Sequence, residues 1–418
     1  MQTELAPEFK GTPEGDEAEA ILRKCVHCGF CTATCPTYQV LGDELDGPRG
    51  RIYLMKQVLE GKEPTRATQI HLDRCLTCLN CETTCPSGVQ YGNLVEIGRR
   101  IVDAKVPRPA GEQALRWTLK EGLTSPLFDP AMKVGQRVRG LLPKALRNKV
   151  PAPTERRAHA WPRTEHARKV LMLAGCVQPS MLPNINAATA RVLDAAGIQT
   201  LVAPDAGCCG AIRLHLNDHH GALEHVRRNV DAWSRAIERA EAAGQPIEAV
   251  VINASGCGVT VKDYGRLLAD EPAYAARAAR IAGLARDLGE LLPDLVPTLA
   301  PKLRTPAPRR IAFHPPCTLQ HGQRVRGVVE SGLTALGFDV RLAPHEAHLC
   351  CGSAGTYSVL HPEMATTLRD RKLANLGAAD PQVIASANVG CIQHLQSGTA
   401  TPVRHWVELV DEALVGAG

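Results

Sequence analysis

The strongest constraint on this chain is a cysteine ladder that occurs twice. Cys25, Cys28, Cys31 and Cys35 run into Pro36, and Cys75, Cys78, Cys81 and Cys85 run into Pro86, each ligand of the second copy fifty positions after its counterpart. The spacing C-x2-C-x2-C-x3-C-P is the run that wraps cubane iron-sulfur clusters. Soft thiolate sulfur stabilises iron in both redox states, and the tight spacing lets three sulfurs take one face of a cube. In two-cluster ferredoxins the fourth cysteine of each run reaches across to the other cluster. Two 4Fe-4S clusters are therefore predicted, one on Cys25, Cys28, Cys31 and Cys85, the other on Cys75, Cys78, Cys81 and Cys35. Four-thiolate zinc sites are the competing reading of C-x2-C pairs, and two complete ladders with both prolines weigh against it. A chain organised in this way is expected to carry electrons.

Composition supports a metalloprotein over a disulfide scaffold. Sixteen cysteines in 418 residues is a low density, and Met1–Ala20 is polar and acidic, without the basic tip and apolar stretch of a signal peptide. A cytoplasmic setting with reduced thiols is expected. The longest apolar runs, Val170–Ala174 and Val250–Ile252, fall short of the roughly eighteen residues that a membrane span needs and read as buried strands.

The predicted fold class is α+β and multidomain. Residues 1–105 form a helical two-cluster ferredoxin-like domain, 106–168 a basic proline-containing connector, 169–300 a first Cys-Cys-Gly lobe and 301–418 a second. In the first domain, helices are expected from Asp16 to Lys24, between Pro48 and Gly61, and from a cap at Asn93. Fifty residues between ladders leave room for a helix, unlike a minimal β-rich ferredoxin. Arg99–Lys169 carries seventeen Lys or Arg against six Asp or Glu, in a chain of net charge +5. Short helices are expected there near Gln113–Lys120 and Met132–Leu142. Such a strip suits a solvated linker, an acidic partner or the anionic inner leaflet of a membrane. Nucleic acid is excluded as a partner, because Trp117, Phe128 and Trp161 are sparse and not interleaved with the charges.

From Lys169 the chain repeats itself. The first copy reads strand Lys169–Ala174, Cys176, a helix from Asn184 to Gly197, strand Gln199–Ala203, Cys208-Cys209-Gly210, a helix, strand Ala249–Asn253 and Cys257. The second reads strand Arg310–His314, Cys317, a helix ending at Gly337, strand Phe338–Ala343, Cys350-Cys351-Gly352, helix Pro362–Leu376, strand Gln382–Ala387 and Cys391. The stretch from Asp287 resembles the one from Trp406. Alternating strands and helices predict two α/β lobes with parallel sheets. Cysteines just beyond strand ends sit where such sheets place ligands. Cys176, Cys208, Cys209 and Cys257 should therefore converge, as should Cys317, Cys350, Cys351 and Cys391, as candidate additional metal or redox centres. Inert buried thiols and vicinal disulfides are the alternatives.

The ladder followed by Gly47-Pro48-Arg49-Gly50-Arg51-Ile52-Tyr53, and the second ladder's Cys85-Pro86-Ser87-Gly88-Val89-Gln90-Tyr91, resemble the iron-sulfur subunits of bacterial glycolate oxidase. The two Cys-Cys-Gly lobes are similar to those of heterodisulfide reductase, anaerobic glycerol-3-phosphate dehydrogenase and the lactate-utilisation iron-sulfur proteins. The resemblance covers essentially the whole chain. It implies a subunit without a catalytic residue of its own, in a complex whose FAD-binding glycolate oxidase subunits oxidise glycolate to glyoxylate, with D-lactate as a second substrate. Electrons would pass from FAD on the partner through this chain to a quinone, in peripheral contact with the inner face of the cytoplasmic membrane. No FAD fingerprint is present in the chain itself; Gly352-Ser-Ala-Gly355 lacks the strand and glycine spacing of one. Alternatives are a subunit of a related lactate or glycerol-3-phosphate dehydrogenase, or a thiol-disulfide reductase.

One departure bears on the lobes. Lobes of the heterodisulfide reductase type end in C-x2-C, whereas Cys257 here is followed by Gly-Val-Thr and Cys391 by Ile-Gln-His394. Four thiols per lobe remain, open to a conventional iron-sulfur cluster, zinc or a centre shared between lobes. His27, His314, His345, His348 and His394 lie near cysteines in sequence. Most are expected to tune sulfur or face solvent, with His314 and His394 as candidate ligands. Arg49 and Arg51 are expected either to pair with acids of the helical domain or to lie near cluster sulfur.

Overall fold

The computed structural model describes residues 1–143, 150–151, 160–304 and 310–415. Its first part is helical and is built around the ladders. Helices α1 (Pro13–Lys24), α3 (Pro48–Leu59) and α6 (Tyr91–Lys105) bury Leu22, Met55 and Leu94 against one another. Between them come α2 (Pro36–Leu41), α4 (Arg66–Asp73) and α5 (Asn80–Thr84). Pro36 and Pro48 each open a helix, where a missing N–H costs nothing. The third expected helix starts at Tyr91 rather than after Asn93, whose side chain donates to Glu17 at 2.9 Å instead of capping.

In the connector, α7 (Ala110–Thr124) and α8 (Phe128–Arg137) replace the shorter helices read from sequence. Much of its charge is spent internally. Arg108 and Arg116 both pair with the buried Asp73, Arg108 at 2.6 Å and Arg116 at 3.2 Å. The parts of the connector at 144–149 and 152–159 lie outside the described residues.

Each lobe is a four-stranded parallel sheet. Strands β1 (Arg168–Met172), β2 (Ile198–Leu201), β3 (Ile247–Ile252) and β4 (Ala285–Asp287) lie in the order β2-β1-β3-β4. Strands β5 (Arg310–His314), β6 (Asp339–Leu342), β7 (Val383–Ser386) and β8 (Val403–His405) repeat it as β6-β5-β7-β8. The fourth strand of each sheet was not foreseen; three residues are too few to show a pattern.

The helices that leave those short strands join the lobes. The helix Leu288–Leu299, leaving lobe one, packs on Val328–Ala335 of lobe two, and Gly332 lets Leu292 approach where a Cβ would collide with its side chain. Reciprocally, Trp406–Val415, leaving lobe two, packs on Asn184–Ala195 of lobe one, with Arg191 and Asp411 paired at 2.5 Å. Val170, Ile185, Leu292, Phe313, Val329 and Trp406 consequently share one core. The strand ends cross-link as well. His405 Nε2 meets the Asn253 carbonyl at 2.9 Å, and Gln323 donates to Asp287 at 2.8 Å.

Candidate iron-sulfur and thiol centres

The two ladders fold alike because the same two positions of each adopt left-handed backbone. In the first they are His27 (φ 54°) and Gly29 (φ 86°), and in the second Thr77 (φ 48°) and Leu79 (φ 58°). That conformation is costly for non-glycine residues and persists only where surroundings enforce it. Here it curls the backbone so that sulfurs face inward and an N–H faces sulfur, Thr77 N donating to Cys75 Sγ at 3.4 Å.

The result is two neighbouring cavities. One is lined by Cys25, Cys28, Cys31 and Cys85, with Arg49 and Tyr91. The other is lined by Cys35, Cys75, Cys78 and Cys81, with Arg51 and Tyr91. Cys81 also touches the first cavity. The last cysteine of each run thus faces the cavity of the other, and four thiols around each fit a cluster held by soft donors.

Their electrostatics differ. At the inner cavity, burial alone would raise the Cys75 thiol, but Arg51, Arg99, the Tyr91 hydroxyl and the Thr77 N–H outweigh it and hold it below its ordinary value. Burial and neighbouring thiols push Cys78 and Cys81 well up. Arg51 is itself buried, donating to the His71 carbonyl at 2.7 Å and to Thr37 at 3.1 Å, with Asp46 at 3.4 Å. Both expectations for this arginine hold together: it pairs with an acid and faces the sulfurs. At the outer cavity, Arg49 pairs with Glu44 at the surface, and Val26 and Phe30 stand 68 % and 60 % exposed. Cys28 is exposed there too.

The inner cavity abuts lobe two. Leu76 and Cys78 pack in one apolar cluster with Cys317, Cys350 and Tyr357. Tyr357 donates to the Arg74 carbonyl at 3.0 Å. His321, in a segment (Thr318–Gly322) folded as a π-helical turn, closes this seam. Its Nε2 faces the His348 carbonyl at 2.9 Å, so Nδ1 accepts from Thr83 at 2.9 Å and from Arg326 at 3.2 Å.

Within each lobe the four cysteines converge as expected. Cys176, Cys208, Cys209 and Cys257 form a chain of thiol contacts in which Cys208 is held low by hydrogen bonds from Cys176 and Cys209. Cys317, Cys350, Cys351 and Cys391 form the matching chain, with Cys317 and Cys350 sulfurs 3.7 Å apart. The third residue of each motif must be glycine. Gly210 (φ 95°) and Gly352 (φ 88°) turn left-handed, each aiming its N–H at the first sulfur of its pair, at 3.5 and 3.4 Å. A Cβ on Gly352 would meet the Ala365 carbonyl at 2.5 Å.

Other residues enter that spacing alone did not reveal. Lys372 is buried beside Cys350 and Cys351, and burial lowers its pKa against the pull of those thiols. Of the two candidate histidines, His394 Nε2 lies 3.0 Å from the Ala365 carbonyl, while His314 has neither ring nitrogen hydrogen-bonded. His345 and His348 supply no side chain to the thiol groups found here.

The comparisons with known proteins follow the same division. Residues 21–89 match the 4Fe-4S dicluster domain family, and 170–262 and 311–396 match the Cysteine-rich domain family. The chain is 53 % identical to the glycolate oxidase iron-sulfur subunit of Escherichia coli over 99 % of both chains. It belongs to the glycolate oxidase iron-sulfur subunit family. A second relative of that description, the probable glycolate oxidase iron-sulfur subunit of Bacillus subtilis, is 30 % identical over 92 % of this chain and 90 % of its own length. A heterodisulfide reductase subunit of Methanosarcina mazei is 25 % identical over 94 % of both. This chain thus combines a dicluster domain with two cysteine-rich repeats.

Proposed function

We propose that this chain is the electron-transfer subunit of a glycolate oxidase, relaying electrons from an FAD-bearing partner that oxidises glycolate, and D-lactate second, toward a quinone. The observation that carries the proposal is the pair of cavities with complementary four-cysteine linings, one with Cys28 exposed and one with all four cysteines buried and packed against lobe two. Cys25, Cys28, Cys31 and Cys85 would hold one 4Fe-4S cluster and Cys35, Cys75, Cys78 and Cys81 the other. Bound there, such clusters exchange single electrons.

The protein's own residues set direction and access. Val26 and Phe30, exposed beside Cys28, offer an apolar rim to the flavin-bearing partner. Arg51 and Arg99 place positive charge around the inner cavity, which favours an added electron there. Tyr91 lines both cavities and links them. Cys78 continues through its packing with Cys317 and Cys350 into lobe two, whose thiols, like those of lobe one, are candidate further iron-sulfur or zinc centres. No helix among the described residues is long and apolar enough to cross a membrane. Exposed Trp117, Leu127, Val134 and Leu141, beside Lys133 and Arg137, support peripheral contact with the inner membrane face.

The test is reconstitution. The isolated, anaerobically prepared chain should contain iron and acid-labile sulfide yet oxidise no glycolate, and adding the flavin subunits should produce glycolate-dependent quinone reduction. Turnover by the isolated chain, or a colourless chain free of sulfide, would overturn the proposal.

A further inference from the structure

The two lobes are near-copies, and they differ where it matters to a metal. His314 ends β5 beside Ser386 of β7. The matching place in lobe one is Leu173, whose N–H bonds to the Val251 carbonyl and whose side chain packs in the apolar core with Cys209. Placing an imidazole in a shell that accommodates leucine is expensive unless its nitrogens find partners. His314 is 1 % exposed, and neither Nδ1 nor Nε2 has a hydrogen-bond partner. A ring nitrogen of His314 and the Cys351 and Cys391 sulfurs all lie within 4.8 Å of one another.

A second substitution points the same way. The carbonyls of Ala222 and Ala365 sit against Gly210 and Gly352 in the two lobes. The same distance further along those helices come Asn229 in lobe one and Lys372 in lobe two. Asn229 donates to the Cys208 carbonyl at 2.9 Å. Lys372 donates to the Glu346 carbonyl at 2.5 Å and is buried beside the Cys350 and Cys351 thiols. The two lobes thus differ again at a residue set against the Cys-Cys pair.

The geometry points to a mixed nitrogen and sulfur site for a single divalent ion of the zinc class in lobe two, held by His314, Cys351 and Cys391, with Cys350 adjoining as the fourth ligand. Tetrahedral bonds of about 2.3 Å to sulfur and 2.0–2.1 Å to nitrogen place ligand atoms about 3.5–3.8 Å apart. The spacing within the triad accommodates that arrangement, and the hydrogen-bonded Cys350 and Cys351 thiols continue it. Lobe one carries Leu173 where lobe two has His314, and the imidazole that does neighbour its thiols, His225 beside Cys208, already accepts from Arg213 at 3.2 Å. The inference extends the reading of the lobe-two thiols as a metal site. It stands apart from the cubane assignment, because its readout is metal content and coordination, not electron flow.

The experiment is metal and sulfide quantification on the full chain prepared anaerobically, followed by X-ray absorption at the edge of the ion found. One divalent ion per chain that sulfide-matched iron does not account for, with imidazole scattering in its shell, is the expected result. His314→Leu, which copies lobe one, should lose that scattering and weaken retention of the ion against a chelator by roughly 10-fold or more, while the visible absorption of the ladder clusters stays. His314→Cys should keep the ion with an all-sulfur shell, which separates a lost ligand from a disturbed fold. An all-sulfur shell in the unaltered chain, or no metal beyond sulfide-matched iron, would overturn the inference. Loss of the ladder clusters' absorption in the unaltered chain would instead strike the electron-transfer proposal.

Discussion

The two ladder cavities share one backbone recipe and differ in what covers them. The outer one is bordered by exposed Val26, Phe30 and Cys28 and by a surface ion pair, whereas the inner one is lined by buried Arg51 and by Leu76 and Cys78, which pack against lobe two. A repeated motif therefore does not produce equivalent sites. The shared spacing sets the ligand geometry, and the surroundings decide which cavity can meet a partner and which can hand charge onward.

The harshest way to break this comparison is Cys28→Ser against Cys78→Ser. Each exchanges a soft donor for a hard one, and each should lower glycolate-dependent quinone reduction by more than the roughly 10–100-fold typical of changes around a metal site. Cys78→Ser should also disturb lobe two, read as faster proteolysis near Tyr357, and Cys28→Ser should not. Equal sensitivity would mean that the seam carries no load.

The arginines sharpen the contrast. Arg51→Met deletes buried donors to the His71 carbonyl, Thr37 and Asp46, the last still held by Arg74 at 2.8 Å, and should cost about 3 kcal/mol in urea unfolding. Arg49→Met removes an exposed pair and should cost under about 1 kcal/mol. Acid should separate the regions next. Burial pushes His321 in the seam down to about 4, below the roughly 6.5 of a free imidazole. The unfolded chain then binds a proton that the folded one refuses. Its stability is whole above pH ~6.5 and drains as pH falls toward about 4, by about 3 kcal/mol. His405, pushed down to about 3 by burial, acts in the same direction between the lobes. Urea midpoints should fall across this window, and His321→Asn should flatten part of the fall; an unchanged slope would remove His321 from the seam's account. The smallest effect is expected from Tyr91→Phe, which deletes a 3.5 Å hydrogen bond to Cys75 sulfur. One cluster's potential should drop by roughly tens of millivolts, the one-electron equivalent of about 1 kcal/mol, and the other's should hold.

Much of this architecture was legible because it rests on local chemistry. Cysteine spacing pointed to the residues that line both ladder cavities, and Pro48 marked the start of α3, while α2 at Pro36 was not read. Alternating apolar runs located β1, β2, β3, β5, β6 and β7 to within a few residues. The likeness between the stretches from Asp287 and from Trp406 falls where Asp287 and His405 end β4 and β8 and a helix follows each. The unread remainder depends on contacts between distant segments. Nothing near Lys372 or His321 in the chain announces a thiol or a seam, and β4 and β8 are too short to carry a period. His314 stood among several histidines near cysteines; only its burial without a partner distinguishes it from His394.

Because each lobe wears the other's closing helix, the pair behaves like a buckle rather than a hinge. Opening it would have to unseat Leu292 from Gly332 and Trp406 from its bed at the same moment, so no low-cost breathing motion is available between the halves. Neither half is expected to survive as a separately expressed fragment, since a cut between them strips one of its lid and leaves the other's apolar stripe bare. A conduit for charge gains from such stiffness: the gaps between successive stations are set once, at folding, and not renegotiated at every turnover.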